Sequence, residues 1–202
     1  MTCALEQTRP RRGFRRILCR KRPQPMIYVC SLHEMPSHAR YLRPGYLISL
    51  IQPEFQPPTP DEVPIERHLR IAVDDVSQEA WGAVIPEEKH IRNLVTFLEQ
   101  RNRDEGVLIH CYAGISRSTA AALIALVIDM DGQELEAGRI LRRAAPHAKP
   151  NQRIIALADQ ILGRQGRLVA ARETMGPAVL AYEAPLVTVA ATPAREDAQE
   201  ES

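Results

Sequence analysis

From Met26 onward, the apolar positions switch repeatedly between short strand-like runs and the 3.6-residue spacing of helices. Met26 to Cys30 predicts a strand, His33 to Tyr41 a helix, and Tyr46 to Ile51 a second strand. Prolines at 53, 57, 58, 60 and 64 then predict a surface connection, since proline cannot donate to a central ladder. Leu69 to Val73 predicts a third strand. Pro86 is placed to open a helix carrying Ile91, Leu94, Val95 and Leu98 on one face, with Gly106 as its terminator. Val107 to Ile109 predicts a buried strand. Arg117 to Met130 is apolar on nearly every side, as a central helix should be. Further helices are predicted over Gln133 to Ala144 and Gln152 to Leu162, the latter capped by Asn151, with one more turn or helix in 165–175. Such alternation predicts an α/β fold with a central, mostly parallel sheet flanked by helices.

The chain of 202 residues suits one domain with tails, and 45% apolar residues can bury a sizeable core. A net charge of +1 gives no reason to expect a nucleic-acid partner. The longest apolar run, Thr119 to Ile128, falls short of the ~18–20 residues that cross a bilayer, so no membrane partner is expected. The cysteines, at 3, 19, 30 and 111, form no C-x-x-C pair, which argues against a disulfide framework or a zinc site and for a reducing, cytoplasmic setting. Only three of the 26 basic residues are lysines, a bias that points to a GC-rich bacterial genome. Residues 1–25 hold eight basic side chains against the lone Glu6. Three readings of this arm stay open: a disordered tail, an Arg-rich targeting segment, or sequence upstream of a true start at Met26. The folded unit is expected over 26–188, with a disordered acidic tail over 189–202.

The chemistry concentrates in His110-Cys111-Tyr112-Ala113-Gly114-Ile115-Ser116-Arg117-Ser118. A buried strand, a tight loop and a helix N-terminus together make an anion site, because loop N–H groups and the helix dipole converge on it. Gly114 permits the turn, and the planar fork of Arg117 can grip two phosphate oxygens. A thiol beside a cation at a helix N-terminus is placed to act as a nucleophile. Ser118 can hydrogen-bond the Cys111 sulfur. A bland alternative, a buried structural cysteine beside a capping arginine, leaves unexplained why a charged residue opens an apolar helix after a glycine loop.

This C-x5-R-S string resembles the signature of the protein tyrosine phosphatase superfamily, and His-Cys-x-Ala-Gly-x-Ser-Arg-Ser resembles its dual-specificity branch most. The resemblance spans roughly Met26 to Leu162. It implies hydrolysis of phosphomonoesters, on phosphotyrosine and on phosphoserine or phosphothreonine, through a phosphocysteine on Cys111. No cofactor or metal is implied. Residues 112–117 (Tyr112, Ala113, Gly114, Ile115, Ser116 and Arg117) would bind the phosphate. An aspartate after an earlier strand would protonate the leaving oxygen. Asp74 and Asp75 follow the third strand, and Asp75 is assigned ahead of Asp74. His110 is expected to orient the loop, Asn151 to brace it or simply to cap its helix, and Trp81 to be core, cover or pocket rim. Cys30 is a candidate partner for Cys111 under oxidation. The loop lacks the lysines of lipid phosphatases, which disfavours inositol phosphates, and no phosphotyrosine-recognition loop is recognisable. Two further readings remain: a catalytically silent phosphate-binding module, and a phosphatase of a non-protein phosphomonoester.

Overall fold

A computed structural model describes residues 26–191; the basic arm with Cys3 and Cys19, and the acidic end from 192, lie outside the described residues. In chain order the elements are β1 (Met26–Cys30), α1 (Met35–Leu42), β2 (Tyr46–Ile51), β3 (His68–Ala72), α2 (Glu88–Gln100), β4 (Val107–His110), α3 (Arg117–Met130), α4 (Glu134–Ala144), α5 (Gln152–Ile161), α6 (Arg167–Thr174) and β5 (Val187–Ala190). The sheet runs β3-β2-β4-β1-β5. Its first four strands are parallel, and β5 joins β1 antiparallel, with Ile27 opposite Val189.

The strand pleat sends alternate side chains to two unequal cores. Ile27, Val29, Ile48, Leu50, Val107 and Ile109 face the larger one, under α2 to α6. Leu47, Leu108 and Cys30 face the smaller one, under α1, with Met35 and Ala39. Helix α3 lies at the centre of the larger layer, and thirteen of its fourteen residues are buried, as its all-round apolar sequence requires.

Two expectations need correction. Helix α2 does not run to Gly106. It opens on a reciprocal cap, in which the Glu87 N–H donates to His90 Nδ1 at 3.1 Å, and it ends at Gln100. Arg101 then leaves helical geometry and forms a fully buried ion pair with Asp129 of α3. Gly106 instead lets the chain pass the Tyr28 ring, which a Cβ would meet at 2.8 Å. The second correction concerns the C-terminal boundary. Strand β5 reaches Ala190, so the sheet extends past residue 188. Val187 and Val189 are buried and Thr188 is exposed, a strand pattern too short to stand out from the tail that follows it.

Candidate active site

The carboxyl ends of parallel strands are where α/β sheets bind ligands, above all where the crossovers diverge. Here β4 lies between β2 and β1. Cys111 follows β4, Gln52 follows β2, and Asp74 and Asp75 follow β3 after Val73. All but Asp74 and Val73 line a cavity of about 580 Å³ over the cysteine.

Residues 111–116 form a cradle at the N-terminus of α3. Four of its carbonyls are satisfied: Tyr112 accepts from Leu32 at 3.0 Å, Ala113 from Ala184 at 2.8 Å, Ile115 from Lys149 at 2.9 Å and Ser116 from Ala120 at 3.0 Å. By contrast, no N–H of residues 112–116 donates to another protein group among the described residues. Free N–H groups at a helix N-terminus are the elements of an anion site. Gly114 makes the turn at φ +75°. Any Cβ there would lie 2.8 Å from the Cys30 carbonyl carbon, so neither the conformation nor the space admits a side chain. Gly114 therefore shapes the cradle without lining the cavity.

Arg117 is only 3% exposed. Its Nη1 donates to Val73 O at 2.8 Å and Gln52 Oε1 at 3.0 Å, which fixes the guanidinium plane. Its Nε is buried without a partner. A buried, unspent donor on a cation is costly unless an anion meets it. Ser118 Oγ lies 3.1 Å from Cys111 Sγ. Sequence reasoning assigned no role to Gln52, although its place directly after a parallel strand was a usable signal.

The two aspartates diverge. Asp74 turns back on its own loop, where Oδ2 accepts the Val84 N–H at 2.7 Å. Asp75 turns to the cavity, where Oδ1 accepts from Ser116 Oγ at 2.7 Å and Asn151 Nδ2 at 2.9 Å. Ser116 is the N-cap of α3 but makes no capping bond, because its hydroxyl is committed to Asp75. Asn151 does cap α5, with Oδ1 accepting from the N–H groups of Arg153 and Ile154. Its amide nitrogen holds the aspartate loop, while the Asn151 backbone N–H meets Ser116 O at 3.3 Å. Bracing thus falls mainly on the aspartate side. Trp81 is fully exposed and is not part of the cavity wall.

His110 opens a chain of hydrogen bonds across β4, β2 and β3 that is buried at His110, Ser49 and His68 and reaches the surface at Arg70. The Cys111 carbonyl can only accept, so His110 Nδ1, at 3.3 Å, carries the proton. Burial pulls His110 down to about 4, so the ring is neutral and Nε2 accepts from Ser49 Oγ at 2.5 Å. Ser49 must then accept from His68 Nε2 at 2.8 Å. His68, lowered to about 3 chiefly by burial, takes the Thr59 proton on Nδ1 at 2.9 Å. Arg70 donates to Thr59 at 2.7 Å. Every donation runs one way, from Arg70 to the carbonyl of the cysteine. Both rings are neutral when folded but have an ordinary value of 6.5. The unfolded chain therefore binds more protons below that value, and this contribution to stability is lost as pH falls from about 6.5 through about 4 for His110 and about 3 for His68. Urea midpoints measured across that range should fall more steeply for the native protein than for a His68→Gln variant.

Cys30 lies against the same loop. Burial, then the neighbouring Cys111, push its thiol well above the ordinary value, so it stays protonated. Among the described residues there is no cluster of metal-binding side chains, and no helix is long and apolar enough to cross a membrane.

Comparison with known proteins agrees with this geometry. No family model matches the chain. Human dual specificity protein phosphatase 16 is 35% identical over 95 residues, covering 46% of this chain and 13% of that protein. Rat dual specificity protein phosphatase 15 is 36% identical over 89 residues, covering 42% of this chain and 34% of that one. The chain thus spans at most about a third of the length of these relatives. The crystal structure of DUSP15 superposes with a TM-score of 0.52 at 20% identity, over 77% of this chain and 93% of that one. The fold is that of the dual-specificity phosphatases, and the resemblance to that branch is borne out by the relatives the chain matches.

Proposed function

We propose that this chain hydrolyses phosphomonoesters, including phosphotyrosine and the phosphoserine or phosphothreonine of proteins, through a phosphocysteine on Cys111. The observation that carries the reading is the convergence of Cys111, the unspent edge of Arg117 and the carboxyl of Asp75 on one cavity. Substrate phosphate would lie in the N–H cradle with its oxygens on Arg117. The Cys111 thiolate attacks phosphorus, the bond to the leaving oxygen breaks, and Asp75 gives that oxygen its proton. Water then attacks the phosphocysteine, Asp75 takes the water proton, and the S–P bond breaks with the sulfur supported by Ser118. His110, Asn151 and Ser116 position these groups. A reducing, cytoplasmic setting would suit a reaction that needs Cys111 as a thiol.

The test is turnover of 4-nitrophenyl phosphate with and without EDTA. Steady hydrolysis indifferent to EDTA and stopped by orthovanadate is expected. No turnover, with phosphate still bound, would instead establish a silent binding module.

A further inference from the structure

A second cavity, of about 420 Å³, adjoins the first and shares Tyr112 and Ala113 with it. Its other walls come from separate parts of the chain. Leu32 and His33 lie between β1 and α1, Phe55 follows β2, and Tyr182 and Glu183 lie shortly before β5. The last pair falls well past Leu162, where the resemblance in sequence ends. Two backbone bonds fix these walls to the cysteine loop: the Leu32 N–H donates to Tyr112 O at 3.0 Å and the Ala184 N–H to Ala113 O at 2.8 Å. The loop that would hold the phosphate therefore also holds this cavity in place.

Its lining differs in kind from that of the phosphate cavity. Phe55, Tyr112 and Tyr182 contribute aromatic rings and Glu183 the one carboxylate, with no lysine or arginine. Phe55 and Tyr112 meet edge to face, with ring centroids 5.5 Å apart. None of the three rings is packed away: Tyr182 is 90% exposed, Tyr112 56% and Phe55 47%. Glu183 is held in place, since its Oε1 accepts from the hydroxyl of the buried Ser31 at 2.6 Å. Its Oε2 has no protein partner, and the residue joins no ion pair, among the described residues. Anchoring of the chain before β5 accounts for the Ser31 and Ala184 bonds. It does not account for three exposed rings gathered beside a fixed, unpaired charge, a combination that marks a binding surface.

We infer that this cavity takes the side chain of an arginine close in sequence to the phosphorylated residue, so that the substrate is a phosphoprotein with a basic flank. Aromatic faces attract a cation, and a planar guanidinium can stack on a ring while its fork meets a carboxylate. A purely apolar occupant would strip water from Glu183 and give nothing in return. The two cavities share Tyr112, the residue next to Cys111, so one extended peptide can fill both. This inference rests on the phosphatase reading and narrows it from phosphomonoesters at large to one class of phosphopeptide.

The test is a set of phosphotyrosine peptides on an alanine background, each with a single arginine at one of the nearest positions before or after the phosphotyrosine. At the best position arginine should raise kcat/KM about 10-fold over alanine, mainly through KM, and leucine there should raise it less than about 2-fold. Added salt should shrink the arginine gain. Glu183→Gln keeps an oxygen for Ser31 and should cut the gain to about 3-fold or less, and Tyr182→Ala should cut it too. Both variants should leave turnover of 4-nitrophenyl phosphate unchanged, since neither residue lines the cavity over Cys111. No position at which arginine helps, a leucine gain equal to that of arginine, or an arginine gain untouched by Glu183→Gln would overturn the inference. Absence of turnover on 4-nitrophenyl phosphate as well as on every peptide would count against the phosphatase reading instead. Wherever the peptides are not turned over, calorimetric binding of the same set decides the occupant: tighter binding of an arginine peptide than of the alanine peptide, lost in Glu183→Gln, supports the inference, and equal binding refutes it.

Discussion

Cys111→Ser should abolish hydrolysis of 4-nitrophenyl phosphate, by about 10⁵-fold or more, while the protein still binds phosphate or vanadate. The two halves of the result report on different parts of the site. Binding belongs to the free N–H groups of residues 112–116 and to Arg117, none of which the substitution touches. Bond breaking needs the sulfur, because a serine hydroxyl is a poor nucleophile unless a base stands beside it, and the group at this position is Ser118, 3.1 Å away. Steady-state turnover together with calorimetric phosphate binding checks both halves. Substantial activity in the variant would remove the phosphocysteine from the mechanism.

Asp75→Asn should cost about 10²–10⁴ in kcat, with a larger loss for an alkyl phosphate than for 4-nitrophenyl phosphate, whose leaving group needs a proton least. The substitution is close to isosteric, and an asparagine can still present its oxygen to Ser116 and Asn151, so the loop should keep its place. Asp74→Asn should change the rate by less than about tenfold, since that carboxylate is occupied in its own loop by the Val84 N–H. Rates for both variants on two leaving groups, with thermal midpoints as a folding control, discriminate them. A larger loss in Asp74→Asn would reverse the assignment.

What the sequence disclosed and what it withheld follow from the range of each interaction. The strands and helices were legible because burial imposes period two or 3.6 on consecutive residues; β2 and α3 fall on their expected bounds. Cys111, Arg117 and Ser118 were legible because a loop and a helix turn fix their relation locally. The place of Asp75 was legible only as one of two, since the choice depends on Ser116 and Asn151, which the fold brings from far along the chain. Ser49 and His68 were not legible, because nothing beside them in the chain announces the partners they find across the sheet. Strand β5 was missed because four residues of small and β-branched type carry too little pattern to separate from a tail.

The one-way series from Arg70 through Thr59, His68, Ser49 and His110 to the Cys111 carbonyl also bears on how this sequence can drift. Each group donates onward because the one before it donates to it, so replacing Ser49 leaves two buried neighbours mismatched, His68 lacking an acceptor and His110 a donor. Losses from changes at Ser49 and at His68 therefore overlap instead of adding, and once one is made the other becomes nearly free. The route to an apolar or differently polar wall behind the cysteine passes through one unfavourable step and then opens. Ser49, His68 and His110, on three neighbouring strands, are therefore expected to tolerate joint replacement better than single replacement.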